Sequence, residues 1–239
     1  MPVLPIAPPL PLPVLSAQYW DNLTFVHWPV DAAAVAGLFP PGSRPDEFDG
    51  TSYVGFVPFQ MRGAGPSRLP VPYFGSFCET NVRLYSVDDQ DRHGVVFATL
   101  DANRLATVLL ARVGLGLPYA WSAMSTRRVG DELTYRSLRR WPQRSRRAAS
   151  MLSVRVGGTV QPTGLETWLT ARWGLHTQVA GRSIWVPNHH DSWPLHQADL
   201  LALDTDLVAA CGIEIDEDRR LRGLFSPGVR TTFGRPVLL

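Results

Sequence analysis

The run Phe77-Cys78-Glu79-Thr80-Asn81-Val82-Arg83-Leu84-Tyr85 constrains the fold of this chain more than any other stretch. Its β-branched and aromatic residues make it a strand. Strand alternation puts Glu79, Asn81 and Arg83 on one face and Thr80, Val82 and Leu84 on the other. The second face needs an apolar neighbour, and a helix over residues 102–113 packed outside the sheet would supply one. The first face has two readings. Against bulk water it is an ordinary polar exterior. Lining an enclosed cavity, it becomes a polar site in which a buried carboxylate needs a partner, with Arg83 near enough along the face to serve.

The rest of the chain is read around that strand. Six prolines within residues 1–15 exclude helix and central strand, so residues 1–18 form an extended arm before a single domain over 19–239. Strands are expected at 23–28, 52–62, 94–100, 119–129, 133–141, 151–156, 175–179, 183–186 and 229–233. Asp31 caps a short helix, 32–38, and Asp101 caps the helix 102–113, which Gly114 ends. Thr163-Gly164-Leu165-Glu166 is a capping box that opens a helix over 165–173. Residues 200–203 and 207–211 read as short helical pieces. About ten strands without alternating helices exclude a doubly wound parallel sheet. The expected fold is mainly β: a curved antiparallel barrel or cone with short helices packed outside, whose interior the Glu79 row would face.

Composition then excludes several chemistries. All 23 basic side chains are arginine, so no side chain of this chain can form a lysine Schiff base. The formal net charge of +2 gives no global case for nucleic acid or an anionic membrane. Cys78 and Cys211 are far apart in apolar contexts, which suggests free thiols in a reducing compartment. No apolar run reaches the roughly 18 residues of a membrane span, and the N-terminus lacks a signal-peptide pattern. The expected location is therefore cytoplasmic.

Three further clusters carry less. His189, His190 and His196 sit too irregularly for shared metal ligation, and Trp193-Pro194 gives their loop a structural purpose. No metal and no cofactor are expected. Arg136, Arg139, Arg140, Arg144, Arg146 and Arg147 surround Trp141, but alternation divides them between two faces, which weakens a nucleic-acid reading. Asp21, Asp49 and Asp101 are read as turn or cap residues.

Seven segments in order make the chain resemble a known family: Leu23 to Val30, Val57 to Gly63, Glu79 to Arg83, Leu100 to Ala102, Gly116 to Tyr119, Tyr135 to Ser137 and His190 to Leu195. They resemble the YqjF-like family of uncharacterised bacterial proteins over about Tyr19 to Pro236. That family is similar in turn to the acetoacetate decarboxylase-like superfamily. The resemblance implies a β-barrel or cone with an internal pocket, and it puts Glu79 where the superfamily carries a pocket glutamate. Tyr119-Ala120 stands where the decarboxylase has its lysine pair.

Together these readings imply a pocket without imine chemistry. The leading expectation is a lysine-independent enzyme, of lyase or isomerase type, acting on a carboxylate- or carbonyl-bearing metabolite, with secondary metabolism as one setting. Glu79 and Tyr119 are the candidate catalytic residues. Arg62, Asn81, Arg83, Arg136 and His27 are the candidate substrate-binding residues. The alternative is a non-catalytic binder of a small ligand. The expected partner is a small molecule, with no nucleic acid and no membrane; the oligomeric state is open. The absence of lysine sets a direct test. Borohydride added with pyruvate or acetoacetate should leave no reduced adduct on any side chain by mass spectrometry, and such an adduct would overturn the imine-free reading.

Overall fold

The computed structural model describes residues 3–66, 69, 71–142 and 148–239. Arg144, Arg146 and Arg147 of the arginine cluster lie outside the described residues. Among those described, thirteen strands follow in order: β1 (Ser16–Val30), β2 (Ser43–Pro45), β3 (Ser52–Pro66), β4 (Phe77–Asp88), β5 (His93–Ala102), β6 (Tyr119–Val129), β7 (Glu132–Trp141), β8 (Ala149–Thr159), β9 (Gly174–Val179), β10 (Arg182–His190), β11 (His196–Thr205), β12 (Gly223–Phe233) and β13 (Val237–Leu238). Three α-helices interrupt them: α1 (Ala32–Val35), α2 (Leu105–Leu115) and α3 (Gly164–Thr170). None is long and apolar enough to cross a membrane.

The strands form one large curved sheet in the order β13-β10-β9-β5-β6-β7-β8-β11-β12-β1-β3-β4-β2. Two further pairings, β4–β5 and β10–β12, turn it back on itself. Strands β12, β1, β3, β4 and β5 are therefore a shared wall with protein on both sides. Alternation sorts their side chains between two cores. Phe25, Tyr53, Val57, Phe59, Tyr85, Val95 and Leu100 face one core. Val26, Trp28, Val54, Phe56, Val82, Leu84 and Phe225 face the other, together with Leu133, Leu152 and Val154 from β7 and β8. A strand buried on both faces reads as a continuous apolar run, which is how β3 reads through Phe59.

The structure corrects several expectations. Val82 and Leu84 pack under β7 and β8, not under the helix. α2 lies on the opposite side, where Val108 joins the core that contains Tyr119. Asp101 does not cap that helix; it belongs to β5, and Arg104 at the helix start makes no side-chain cap. α2 ends at Gly116, not Gly114, with φ +63°. There a Cβ would run into the carbonyl oxygen of Gln178. By carrying the chain across, α2 lets β5 and β6 run parallel; β5 also runs parallel to β9, so the sheet is not wholly antiparallel. Residues 200–203 are strand, because β11 pairs with β8 and that pairing overrides the helix propensity of Ala and Leu. The strand near the N-terminus begins at Ser16, paired with both Phe233 and Pro66, so the extended segment ends earlier than residue 18. That segment lies on the body: Trp173 donates to the Leu4 carbonyl (2.8 Å) and Ser192 to that of Pro5 (3.3 Å). The caps at Asp31 and Thr163 form, with Glu166 closing the box. Both cysteines are free thiols.

Asp101 is fully buried and ties three strands together. Arg139 of β7 forks onto it (Nε to Oδ2 3.1 Å, Nη2 to Oδ1 2.5 Å), and Ser122 of β6 donates to Oδ2 at 2.6 Å. Truncating Arg139 to Met leaves that carboxylate without its counter-charge, so it should cost about 3–5 kcal/mol in urea unfolding. The Asp101→Leu/Arg139→Met double change should cost less than the two single changes added together.

Candidate functional site

The row that opens β4 faces a cavity of about 290 Å³ in the first core. Glu79, Asn81 and Arg83 line it and are 3%, 5% and 9% exposed. Around them the walls are mostly apolar: Val57 and Phe59 from β3, Phe97 and Leu100 from β5, and Ala111 and Leu115 from α2. Tyr119, the first residue of β6, is delivered by the α2 crossover into register with Leu100. Its hydroxyl donates to Glu79 Oε2 at 2.8 Å.

Glu79 and Arg83 do not form an ion pair. Four residues along a strand separate their Cα atoms by about 13 Å, and each finds other partners. Burial pushes the Glu79 carboxyl up to about 7; the hydrogen bonds from Tyr119 and Asn81 oppose the rise, and the Asp101 charge adds to it. Burial also drives the Tyr119 phenol well above its usual range, reinforced by the Glu79 charge and hydrogen bond. Asn81 Oδ1 is buried with no hydrogen-bond partner among the described residues.

Arg83 is held by neutral groups. Nε donates to Tyr85 Oη (3.2 Å) and Nη2 to the Leu169 carbonyl (3.2 Å), while the Phe25 and Tyr85 rings stand 5.4 Å from its Cζ. His27 meets the same Tyr85 hydroxyl through Nε2 at 2.6 Å. Burial and the Arg83 charge push His27 well below its usual range. The ring is therefore neutral, and Tyr85 donates to His27 while accepting from Arg83. His27 positions Arg83 through Tyr85 without lining the cavity itself.

Two predicted residues lie elsewhere. Arg62 pairs with Asp21 (Nε to Oδ2 2.6 Å) over the Tyr19 ring, with its side chain 59% exposed. Asp21 is thus an ion-pair partner, not only a turn residue. Arg136 is exposed beside Asp204 and Asp206 on another face. Neither lines the cavity.

Three lining residues were not anticipated. Arg172 follows α3; it is 3% exposed and bonds Asp46 (2.5 Å) and the Trp168 carbonyl (2.8 Å), while its Nη2 has no partner among the described residues. Asn188 and His190 project from β10 on the same face as Val186. His190 donates from Nδ1 to the Asp191 carbonyl (2.7 Å), and its ring centre is 4.8 Å from those of Trp173 and Trp193. Burial lowers it to about 4, with the Arg83 charge contributing. The row Val186-x-Asn188-x-His190 is a period-two signal like that of β4. It was hidden because Pro187 reads as the end of a strand. His196 bonds the Gly157 carbonyl, apart from His190, and no group of three potential metal ligands is gathered among the described residues.

Among solved structures, the enduracididine biosynthesis enzyme MppR complexed with pyruvate superposes with a TM-score of 0.63 at 17% identity, covering 95% of this chain and 91% of that one. Acetoacetate decarboxylase from Legionella pneumophila superposes with a TM-score of 0.66 at 11% identity, covering 95% and 88%. At these identities the likeness establishes the acetoacetate decarboxylase-like fold. A Bacillus subtilis (strain 168) protein, the uncharacterised YqjF, is 30% identical over 201 residues, covering 84% of this chain and 83% of its own. The model of DUF2071, a family of uncharacterised conserved proteins, matches residues 17–230, so the chain belongs to that family.

Proposed function

We propose that this protein is a lysine-independent enzyme that moves a proton on the carbon next to a carbonyl, in a small carboxylate- or carbonyl-bearing metabolite. The observation that carries the reading is Glu79. It is a buried carboxyl in a cavity, bonded to a phenol and to no arginine among the described residues, with its pKa raised to about 7. A structural carboxylate is normally held low by a cation or by several donors; this one is poised near neutrality, as a general base or acid must be. A likeness in fold to enzymes, one of them captured with pyruvate, supports a small-molecule substrate.

The step balances within these residues. Glu79 takes the proton from carbon, the bonding pair moves onto the carbonyl oxygen, and the Tyr119 hydroxyl, turned from Glu79, donates a hydrogen bond to that oxygen. Tyr119 is a weak acid here, so it stabilises the developing charge while keeping its proton. Delivery of that proton to the other face or to another carbon completes isomerisation; where the carboxyl first trades its proton with solvent, return to the same carbon completes exchange. Arg83 holds the substrate's anionic group.

Incubation in D₂O with oxo acids of graded length tests this by NMR. Exchange at the carbon next to the carbonyl should rise with pH through about 7, as Glu79 loses its proton, and then level off. Glu79→Gln should abolish exchange, and exchange that survives the change would sink the proposal. Glu79→Gln should also report the group's environment through stability. A carboxyl raised from 4.5 in the unfolded chain to about 7 in the fold opposes folding increasingly between those values, and fully above them. The amide should therefore stabilise the protein by about 3 kcal/mol at pH 8. The difference should vanish well below pH 4.5.

A further inference from the structure

We propose that Arg83 and Arg172 form a carboxylate subsite at the far end of the cavity from Glu79 and Tyr119, and that the ligand is an elongated monocarboxylate with an apolar body. The substrate class rests on the catalytic reading above; the subsite itself does not.

The two guanidiniums converge on one ring. Arg83 Cζ lies 5.4 Å and Arg172 Cζ 4.9 Å from the centre of Tyr85. Both line the cavity, and each has nitrogen to spare. Arg172 Nη2 is buried without a partner, and Arg83 bonds the protein only through Nε and Nη2 among the described residues. Among the described residues, one carboxylate, Asp46, pairs with these two arginines; it is bonded to Arg172 and shared with His93. His27 and His190 are neutral beside them. At least one positive charge is therefore unmatched in a buried site, and a ligand anion is the natural counter-charge.

The spacing along the strand favours a long ligand. The Cα atoms of Arg83 and Glu79 lie about 13 Å apart on one face of β4. Midway, Val57 and Leu100 stand opposite Asn81 on the neighbouring strands. In pyruvate the carboxylate is bonded directly to the carbonyl carbon, and in acetoacetate one carbon separates them. Neither spans a gap of that order. The cavity also has the volume of about ten waters, more than a three-carbon acid fills.

Calorimetric titration of the full chain with octanoate, octan-1-ol and pyruvate tests the subsite without turnover. Octanoate should bind once per chain and at least about tenfold tighter than octan-1-ol, the value of a charged hydrogen-bonded contact. It should also exceed pyruvate by at least about tenfold, because pyruvate forgoes the apolar wall. Arg83→Met should remove the preference for octanoate over octan-1-ol, whereas Glu79→Gln should keep it. Equal binding of octanoate and octan-1-ol by the wild type, or pyruvate binding as tightly as octanoate, would overturn the proposal with no variant needed. A Glu79→Gln protein that still exchanges protons would end the catalytic reading and leave an octanoate preference, and so the subsite, standing.

Discussion

A wall buried on both faces governs this structure. In an ordinary antiparallel sheet one face meets water, and polar side chains on that face cost nothing. β4 and the first part of β3, Ser52 to Phe59, have no such face, because the sheet turns back over both sides of them. Every polar group on β4 must then find a partner or a cavity. Thr80, Val82 and Leu84 meet this demand by being apolar or small. Glu79, Asn81 and Arg83 cannot, and the cavity exists on their side. The polar row and the cavity are two aspects of one constraint. Filling the space with side chains would strand three polar groups, and removing the groups would leave apolar walls free to close in.

The same constraint sorts the buried carboxyls by the partners they find. Asp101, Asp46 and Asp88 are as buried as Glu79, yet each has a basic partner. Arg139 forks onto Asp101, Arg172 and His93 meet Asp46, and Arg92 and His176 meet Asp88. In Asp46 and Asp88, burial alone would raise the carboxyl, but their partners hold it below its usual value. Glu79 has a phenol and an amide instead, and it rises. The contrast is internal to one fold: a buried carboxyl with a basic partner is held down, and the one without such a partner rises. The paired carboxylates brace the wall, with Arg172 shared between bracing and cavity.

How much of this was legible in the sequence depends on which forces are local. The β4 row could be read because alternation is a property of a single strand, and the caps at Asp31 and Thr163 because they close within a turn. The absence of lysine needed no structure at all. The features that could not be read depended on partners distant in the chain. Asp101 precedes a helix and looks like a cap; only Arg139, 38 residues later, makes it a buried ion. Arg62 ends a strand beside the polar row and looks like a clamp, yet Asp21 across the β1–β3 pairing draws it outward. The cavity's second polar wall, Asn188 and His190, was obscured by Pro187, which β10 accommodates with its carbonyl bonded to Gly234.

One asymmetry in the cavity arises from these constraints. Its proposed reacting end is built from local pattern: a glutamate on a strand and a tyrosine that opens another. Its proposed binding end is built from long-range contact, with Arg83 held by Tyr85, Leu169 and, through Tyr85, His27. Proton transfer needs a correctly poised group within hydrogen-bond reach, and one strand can supply it. Holding a buried guanidinium without a carboxylate needs several neutral acceptors and aromatic faces at once, which no single element can present. The proposed anion-binding end is accordingly where α3 and the central wall meet, and where changes distant in sequence would alter ligand choice while leaving Glu79 and Tyr119 in place.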